Sequence, residues 1–325
     1  MKNMLRTHAH KTVLTRDHVI WAYRLFLDRE PENVVVVENW LKGAASTTEL
    51  RQEFMRSTEF IQLNSAMSAY SSESKPAIAL LQGNIRLFVD LADYEIGVQI
   101  IRGAYEKNEY RFICELVKPG QRVLDIGANI GFYSLVCAHV VGPTGHVHAY
   151  EPLPQNLNLF EQSIRENQFE GRITLTRSAV GKDKDTANLV WLPVRRDNPN
   201  SGGAFLQAPG QPIPPGHKVE SVPVVSIDSQ SLPAPIDFIK IDIEGAEFLA
   251  FEGARDTLLR DHPTILSEIN PVQLRKVSGV SPSELLEYMN SLGFLCRVLE
   301  QTPNDVPIRS LPESGPTVSV VFSVD

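Results

Sequence analysis

The sequence predicts an α/β fold, a mainly parallel and doubly wound sheet, preceded by a small all-α domain. Three observations carry this expectation. From Ile78 onward, apolar strand-like segments alternate with amphipathic helical ones, and strands separated by helices pair in parallel. The stretch before residue 67 shows apolar residues at helical spacing instead. Between them, Ser68, Ser71, Ser72, Ser74 and Pro76 mark a composition shift that reads as a linker. The expected organisation is a helical module over 1–66, a linker over 67–77 and an α/β domain over 78–325, with its core over 111–325. A chain of 325 residues, 42% hydrophobic and 22% charged, suits two soluble domains.

In the helical module, Thr15-Arg16-Asp17 can cap a helix carrying Ile20, Tyr23, Leu25 and Phe26. Asp28-Arg29-Glu30-Pro31 is a turn signal, and Leu50, Phe54, Met55 and Phe60 return to helical spacing. The Val34–Val37 run is strand-like by composition, but Glu38, Trp40 and Leu41 extend it as a helix. In the α/β domain, Ala77–Leu81 and Ile85–Val89 flank Gln82-Gly83-Asn84 as a hairpin. A helix over Tyr105–Val117 ends at Lys118-Pro119-Gly120. Strands follow at Arg122–Ile126, His146–Tyr150, Ile173–Arg177, Phe238–Ile243, Thr264–Ile269, Leu295–Leu299 and Val318–Val324. Helices are predicted over Gly131–Val141, Pro154–Asn167, Ala246–Asp261 and Ser281–Leu292. Residues 182–220, rich in Gly and Pro, break the alternation and read as a long irregular excursion, which in a compact domain is often functional.

The bulk numbers exclude several classes. A net charge of −8 and a pI near 5.6 argue against a general nucleic-acid binder, because phosphate neutralisation needs a basic face; Arg195-Arg196 is the notable basic doublet in the loops. Cys114, Cys137 and Cys296 are too few and too scattered for a disulfide framework or a metal-ligand spacing, and read as buried thiols in a reducing compartment. The first residues lack the apolar segment of a secretory signal. No run approaches the ~20 apolar residues of a membrane span. The expected location is the cytoplasm.

The richest motif is Val123-Leu124-Asp125-Ile126-Gly127-Ala128-Asn129-Ile130-Gly131, placed between a strand and a helix. Its small residues allow a sharp turn and close approach of a ligand to the backbone. Glu151 ends the second strand, where a carboxylate can accept two hydrogen bonds from the cis-diol of an adenosine ribose. As a strand-tip residue Glu151 is expected to carry little packing. The spacing is not the Gly-x-Gly-x-x-Gly of a pyrophosphate cradle. Asp125 would repel a pyrophosphate, whereas beside the cationic amino group of a methionine moiety it is favourable. That sign favours S-adenosylmethionine over NAD.

These residues, with Tyr150-Glu151-Pro152, Ser178-Ala179-Val180-Gly181, Asn200-Ser201-Gly202-Gly203-Ala204, Ser226-Ile227-Asp228 and Lys240-Ile241-Asp242-Ile243-Glu244-Gly245-Ala246-Glu247 in order, resemble the FkbM-type methyltransferases over roughly residues 95–270. The resemblance implies a Rossmann-like, seven-stranded methyltransferase sheet with its last strand antiparallel. It implies S-adenosylmethionine as cofactor and O-methylation of a hydroxyl on a sugar, glycan or natural product. Carried over, Asp125, Gly127, Ala128, Asn129 and Gly131 surround the methionine and ribose part, and Glu151 holds the ribose. Ser178, Ala179 and Val180 face adenine, and Glu106 is an acid preceding the core. Residues 15–63, from Tyr23-Arg24-Leu25-Phe26-Leu27-Asp28-Arg29-Glu30-Pro31 to Phe54-Met55-Arg56-Ser57-Thr58-Glu59-Phe60, resemble a small bacterial helical module, which could dock a protein partner or serve as scaffold.

The fourth core strand carries the candidate chemistry. Period two puts Lys240, Asp242 and Glu244 on one side of an apolar strand, and three charges there are costly unless paired or functional. A Lys240–carboxylate ion pair is the competing reading, and Glu247 also suits a helix start. An alcohol needs its proton removed before it attacks a methyl carbon. Glu244 or Asp242 is the candidate for that task, with Glu268 in reserve. A variant holds a divalent cation among Asp242, Glu268 and Asn270; the primary expectation assigns no metal. A nicotinamide-dependent oxidoreductase and a non-catalytic cofactor-binding protein are the rival classes.

Overall fold

The computed structural model describes residues 14–27, 29–43, 46–47, 50, 53–54, 75–193, 203–299 and 307–324. The chain divides into two compact units, Met1–Ser71 and Ser72–Asp325. The expected linker serines, the Met55–Phe60 end of the helical motif, the Arg195-Arg196 doublet and Asn200-Ser201-Gly202 lie outside the described residues.

In the first unit, α1 (Arg16–Leu27) and α2 (Val34–Gly43) close on a small core of Val19, Ala22, Tyr23, Leu27, Val37, Leu50 and Phe54. Four consecutive valines have mediocre helix propensity. Two things override it: Asn33 Oδ1 accepts the Val36 N–H at 3.1 Å as an N-cap, and Val37 is buried. Phe54 is the hub, edge-on to Tyr23 at 4.9 Å and stacked with Trp40 at 4.6 Å. The Trp40 indole N–H donates to the Tyr23 hydroxyl at 3.2 Å.

The second unit opens with a hairpin, β1 (Pro76–Leu81) and β2 (Ile85–Asp90), whose antiparallel register ends at Leu81↔Ile85. Ile85, Leu87 and Val89 alternate inward. A short π-helical segment, Tyr94–Val98, follows, capped by the Asp93 carboxylate on the Ile96 N–H at 3.0 Å. Then come α3 (Lys107–Leu116), β3 (Arg122–Ile126), α4 (Phe132–Val141), β4 (His146–Tyr150), α5 (Pro154–Glu166) and β5 (Ile173–Thr176). The hairpin is pinned to α5: Phe88 N–H donates to Ser163 Oγ at 2.9 Å and Arg86 N–H to Asn167 Oδ1 at 2.8 Å.

The described part of residues 182–220 is not wholly irregular, as the sequence suggests, but contributes strands. β6 (Ala179–Val180), β7 (Asp185–Trp191), β8 (Phe205–Leu206) and β9 (Lys218–Val225) form a second sheet in the order β6-β9-β7-β8. Ala179, Leu189, Trp191, Val222 and Val224 bury one face against Leu153. The alternation Leu189, Trp191 and Val222, Val224 is the period-two signal of a half-buried strand; the Gly/Pro-rich turns between these strands obscure it.

The chain then continues through β10 (Phe238–Ile241), α6 (Glu247–Glu252), α7 (Arg255–Asp261), β11 (Thr264–Ile269), α8 (Pro271–Val277), α9 (Pro282–Ser291), β12 (Leu295–Val298) and β13 (Val318–Ser323). The single helix expected over Ala246–Asp261 is two. The Asp228 carboxylate accepts from Asp256 N–H at 2.8 Å and Thr257 N–H at 2.9 Å, so a cap from a distant segment starts a new helix there. Helix α8, capped by Asn270 and opened by Pro271, is an element the sequence reading lacked.

The main sheet has seven strands in the order β12-β13-β11-β10-β3-β4-β5. β10 pairs in parallel with β3 and β11, and β13 runs antiparallel to both β11 and β12. The last strand is therefore antiparallel in an otherwise parallel, Rossmann-like sheet. Its two faces bury separate apolar layers, one under α4 and the hairpin, the other under α6, α7 and α9. The ends of β3, β4, β10 and β11 lie side by side at one edge, where open α/β sheets bind ligands.

Candidate active site

At that edge lies a cavity of about 210 Å³. Nine sequence-derived candidates line it: Glu106, Gly127, Asn129, Glu151, Ser178, Ala179, Val180, Asp242 and Glu244. Asp125, Ala128 and Gly131 are not among its lining residues and act from behind. The Gly131 N–H donates to Ala128 O at 2.8 Å, and a Cβ at Gly131 would lie 2.1 Å from the Phe160 ring. This glycine therefore makes room for core packing. Gly127 has φ +82, and a Cβ there would lie 2.0 Å from the Asp242 carbonyl oxygen. It lets the β3 and β10 tips approach each other beneath the cavity, in a conformation that suits glycine alone.

Asp125 is buried at the end of β3. Its Oδ2 accepts the Ser134 hydroxyl at 2.5 Å, while Oδ1 has no partner. Burial raises its carboxyl above the ordinary range, against the opposing pull of Lys240. Glu151 is also buried and carries more structure than a strand tip is expected to. Its Oε2 accepts the Asn129 N–H at 2.9 Å; its Oε1 accepts the Leu153 N–H at 2.8 Å and Asn156 Nδ2 at 3.4 Å. Burial pushes its carboxyl up to about 7, despite these hydrogen bonds. Asn129 Oδ1 and Ser178 Oγ are buried oxygens without a partner among the described residues.

The fourth-strand acids meet for a reason other than the expected one. β10 ends at Ile241, and the chain turns through Glu244 at φ +51 and Gly245 at φ +99. Asp242 and Glu244 thus share the cavity through a turn, not through strand alternation. Glu247 builds the turn: its Oε1 accepts the Ile243 and Gly245 N–H groups, each at 3.1 Å. It is buried, and burial pushes its carboxyl up to about 7. Burial, Asp242 and Glu247 together push Glu244 up to about 8. Glu268, on β11, also lines the cavity; Asp242 and then burial push it up to about 9.

Glu106, at φ +34 just before α3, accepts the Tyr133 hydroxyl at 2.5 Å and is raised by burial. Asn270 does not join the acids. Its Oδ1 caps α8 by accepting Val272 and Gln273 N–H, and its amide donates to Thr317, so the metal-holding variant loses one of its three residues. Among the described residues, no group of three or more His, Cys, Asp or Glu is arranged to hold a metal ion. The sequence reading missed the lining residues Glu95, Tyr105, Leu189, Ala204 and Leu206. Tyr105 is adjacent to Glu106 and Ala204 closes the 200–204 block, while Leu189 and Leu206 fall in the excursion read as functional without residue assignments; Glu95, from the π-helical segment, carried no ligand signal in the sequence.

Among the described residues, the lining holds Glu106, Glu151, Asp242, Glu244 and Glu268, with Glu95 at its wall, and no Lys, Arg or His. Such a surface repels a pyrophosphate. It suits a molecule that presents positive charge and hydroxyl or amino donors, with the unpartnered Asn129 and Ser178 oxygens able to accept them. Strand order and acidic cleft together define the fold class of S-adenosylmethionine-dependent methyltransferases. The methyltransferase FkbM domain matches residues 125–296, more than half of the chain, and the chain belongs to that family. Its cofactor is S-adenosylmethionine.

Among curated relatives, the 31-O-demethyl-FK506 methyltransferase FkbM of Streptomyces tacrolimicus is 31% identical over 77 residues, 24% of this chain and 28% of that protein. A protein-L-isoaspartate O-methyltransferase of Methanothrix thermoacetophila is 29% identical over 59 residues, 18% of this chain and 28% of that protein. The chain thus spans under a third of the length of the curated relatives it matches. Among solved structures, a methyltransferase FkbM from Methylobacillus flagellatus is 19% identical with a TM-score of 0.40, covering 74% of this chain and 63% of that one. No helix among the described residues is long and apolar enough to cross a membrane.

Proposed function

We propose that this protein transfers the methyl group of S-adenosylmethionine to a hydroxyl oxygen of a small acceptor, a sugar, glycan or natural product, with Glu244 as the general base. The observation that carries this reading is the convergence of Asp242, Glu244 and Glu268 on one cavity that, among the described residues, has no lining cation. When bound, S-adenosylmethionine supplies a methyl group on a positively charged sulfur, and the acceptor oxygen takes that carbon as the C–S bond breaks with its electron pair left on sulfur. Glu151 and Asn129 hold the ribose side. Ser178, Ala179 and Val180 form the adenine side, and Asp125 and Asp242 favour the cationic methionine end. Glu244 accepts the hydroxyl proton, and a carboxyl raised toward neutrality is a suitable base for that step. The wall of Leu189, Ala204 and Leu206 faces the same cavity and shapes the acceptor's entry.

The test is S-adenosylhomocysteine formation over a panel of monosaccharides, oligosaccharides and hydroxylated small molecules, with carboxylic acid and amine acceptors as controls. Turnover confined to the hydroxyl acceptors and lost in Glu244→Gln is expected. Turnover on carboxylic acids or amines alone would refute the acceptor class.

A further inference from the structure

Lys240 is the charged residue within β10, and the proposed function leaves it unused. It sits on β10 between Ile239 and Ile241, 4% exposed, and does not line the cavity. A buried ammonium is costly unless it is paired. Its Nζ lies 3.3 Å from Asp242 Oδ2 and 5.2 Å from the centroid of the Tyr133 ring. The Tyr133 hydroxyl in turn donates to Glu106. One ammonium thus touches the acid at the tip of its own strand and the aromatic ring that steers the acid before α3. Carboxylates face this group from each neighbouring element: Asp125 from β3, Glu268 from β11, Glu106 from the loop before α3, Asp242 from its own strand end and Glu244 from the turn that follows; the Tyr133 ring adds to the surround.

We propose that Lys240 is a positioning residue for cofactor binding: from beneath the cavity it fixes the Asp242 carboxylate and, through Tyr133, Glu106, on the wall where the cationic cofactor is received. This rests on the cofactor of the family and not on the acceptor or on Glu244 as base. Burial opposes the Lys240 charge, but Asp242, Glu106, Glu268 and Asp125 outweigh it and hold the ammonium above its ordinary range. In return, Lys240 pulls Glu106, Asp125, Glu244 and Glu268 down against burial. Without it these carboxyls take up protons at higher pH. The ammonium also repels a cationic ligand, so its removal has opposite effects at the two ends of the pH range.

The experiment is calorimetric titration of the full chain with S-adenosylmethionine from pH 5.5 to 9, in wild type, Lys240→Met and Lys240→Arg. In wild type, affinity is expected to fall on acidification. In Lys240→Met, the midpoint of that fall is expected to move up by about one pH unit or more, the scale for losing an opposite charge within ~4–6 Å. Lys240→Arg, which keeps the charge, is expected to keep the wild-type midpoint. Titration with S-adenosylhomocysteine, which lacks the sulfonium charge, should show a shallower pH dependence in all three proteins. Merely structural damage would weaken binding at every pH without moving the midpoint, and that result in a folded Lys240→Met protein overturns the proposal. Should Lys240→Met fail to fold, Lys240→Arg decides: an unmoved midpoint supports the proposal and a raised one overturns it. Failure of the acceptor panel with this pH pattern intact would count against the proposed reaction alone.

Discussion

Glu151→Gln separates what this carboxylate does for the cofactor from what it does for the fold. The side chain is 5% exposed and already accepts two backbone N–H groups, Asn129 on Oε2 and Leu153 on Oε1. Glutamine keeps its size but offers one acceptor oxygen, so one backbone donor comes to face an NH₂. Leaving a buried donor unsatisfied costs ~1–3 kcal/mol. For a domain of this size each kcal/mol lowers Tm by about 2–4 °C, so a drop of several degrees is expected by differential scanning calorimetry. Losing a hydrogen bond to a charged group costs the cofactor a further ~1.5–3 kcal/mol, or roughly 10- to 150-fold in Kd, read by isothermal titration. Because burial holds this carboxyl near 7, wild type gains charge between pH 6 and 8 while the variant cannot. The ratio of the two affinities should therefore widen over that range. A folded variant that binds S-adenosylmethionine within twofold of wild type at pH 8 would remove Glu151 from the ribose role.

Three further outcomes are expected. Glu244→Gln should lower kcat by ~10²–10⁴-fold, the usual loss of a general base, with cofactor Kd within threefold; wild-type kcat should rise as pH passes about 8, where Glu244 ionises, and a flat profile would count against this base. Glu247 is raised from 4.5 to about 7. Between those values the folded state holds a proton that the unfolded state has released, so stability declines with rising pH across that window, by on the order of 3 kcal/mol at most. Glu247→Gln keeps the oxygen that receives Ile243 and Gly245 N–H, and its Tm should decline less steeply from pH 5 to 7.5; an identical slope sinks this account. A chain beginning at Pro76 should fold and bind S-adenosylmethionine, since the contacts of Ser72–Asp325 form a compact unit of their own; an insoluble product, or one that cannot bind, would refute that division.

The parts legible in the sequence were those in which local pattern and final contact coincide. The β3 loop and the β4 tip are contiguous segments whose place at the cavity depends on a strand end and small residues, both visible at the level of a motif. What stayed hidden depended on partners far along the chain. Asp228 splits a helix 28 residues away. Leu189 and Leu206 become cavity wall because β7 and β8 pair across residues 194–202. Glu151 reads in sequence as a strand tip with little packing, because its contacts come from Leu153 and Asn156 folding back over it.

The Asp242–Glu247 block shows a subtler gap between pattern and cause. Alternation predicted that Asp242 and Glu244 share a side, and both do line one cavity, but the strand ends before either of them. What turns Glu244 into the site is a left-handed backbone at Glu244 and Gly245, tied by the Glu247 carboxylate. A left-handed glutamate has no Cβ-free backbone to relax into, so its conformation is held by neighbours. A buried acid that folds a loop and an acid that serves the reaction carry the same letter in sequence. They differ in their partners: Glu247 spends one oxygen on two backbone donors, whereas among the described residues Glu244 has no comparable clasp and lines the cavity. On that physical ground Glu247 is assigned to the scaffold and Glu244 is the base we propose, and the two glutamine variants should part accordingly, one in its stability profile and the other in kcat.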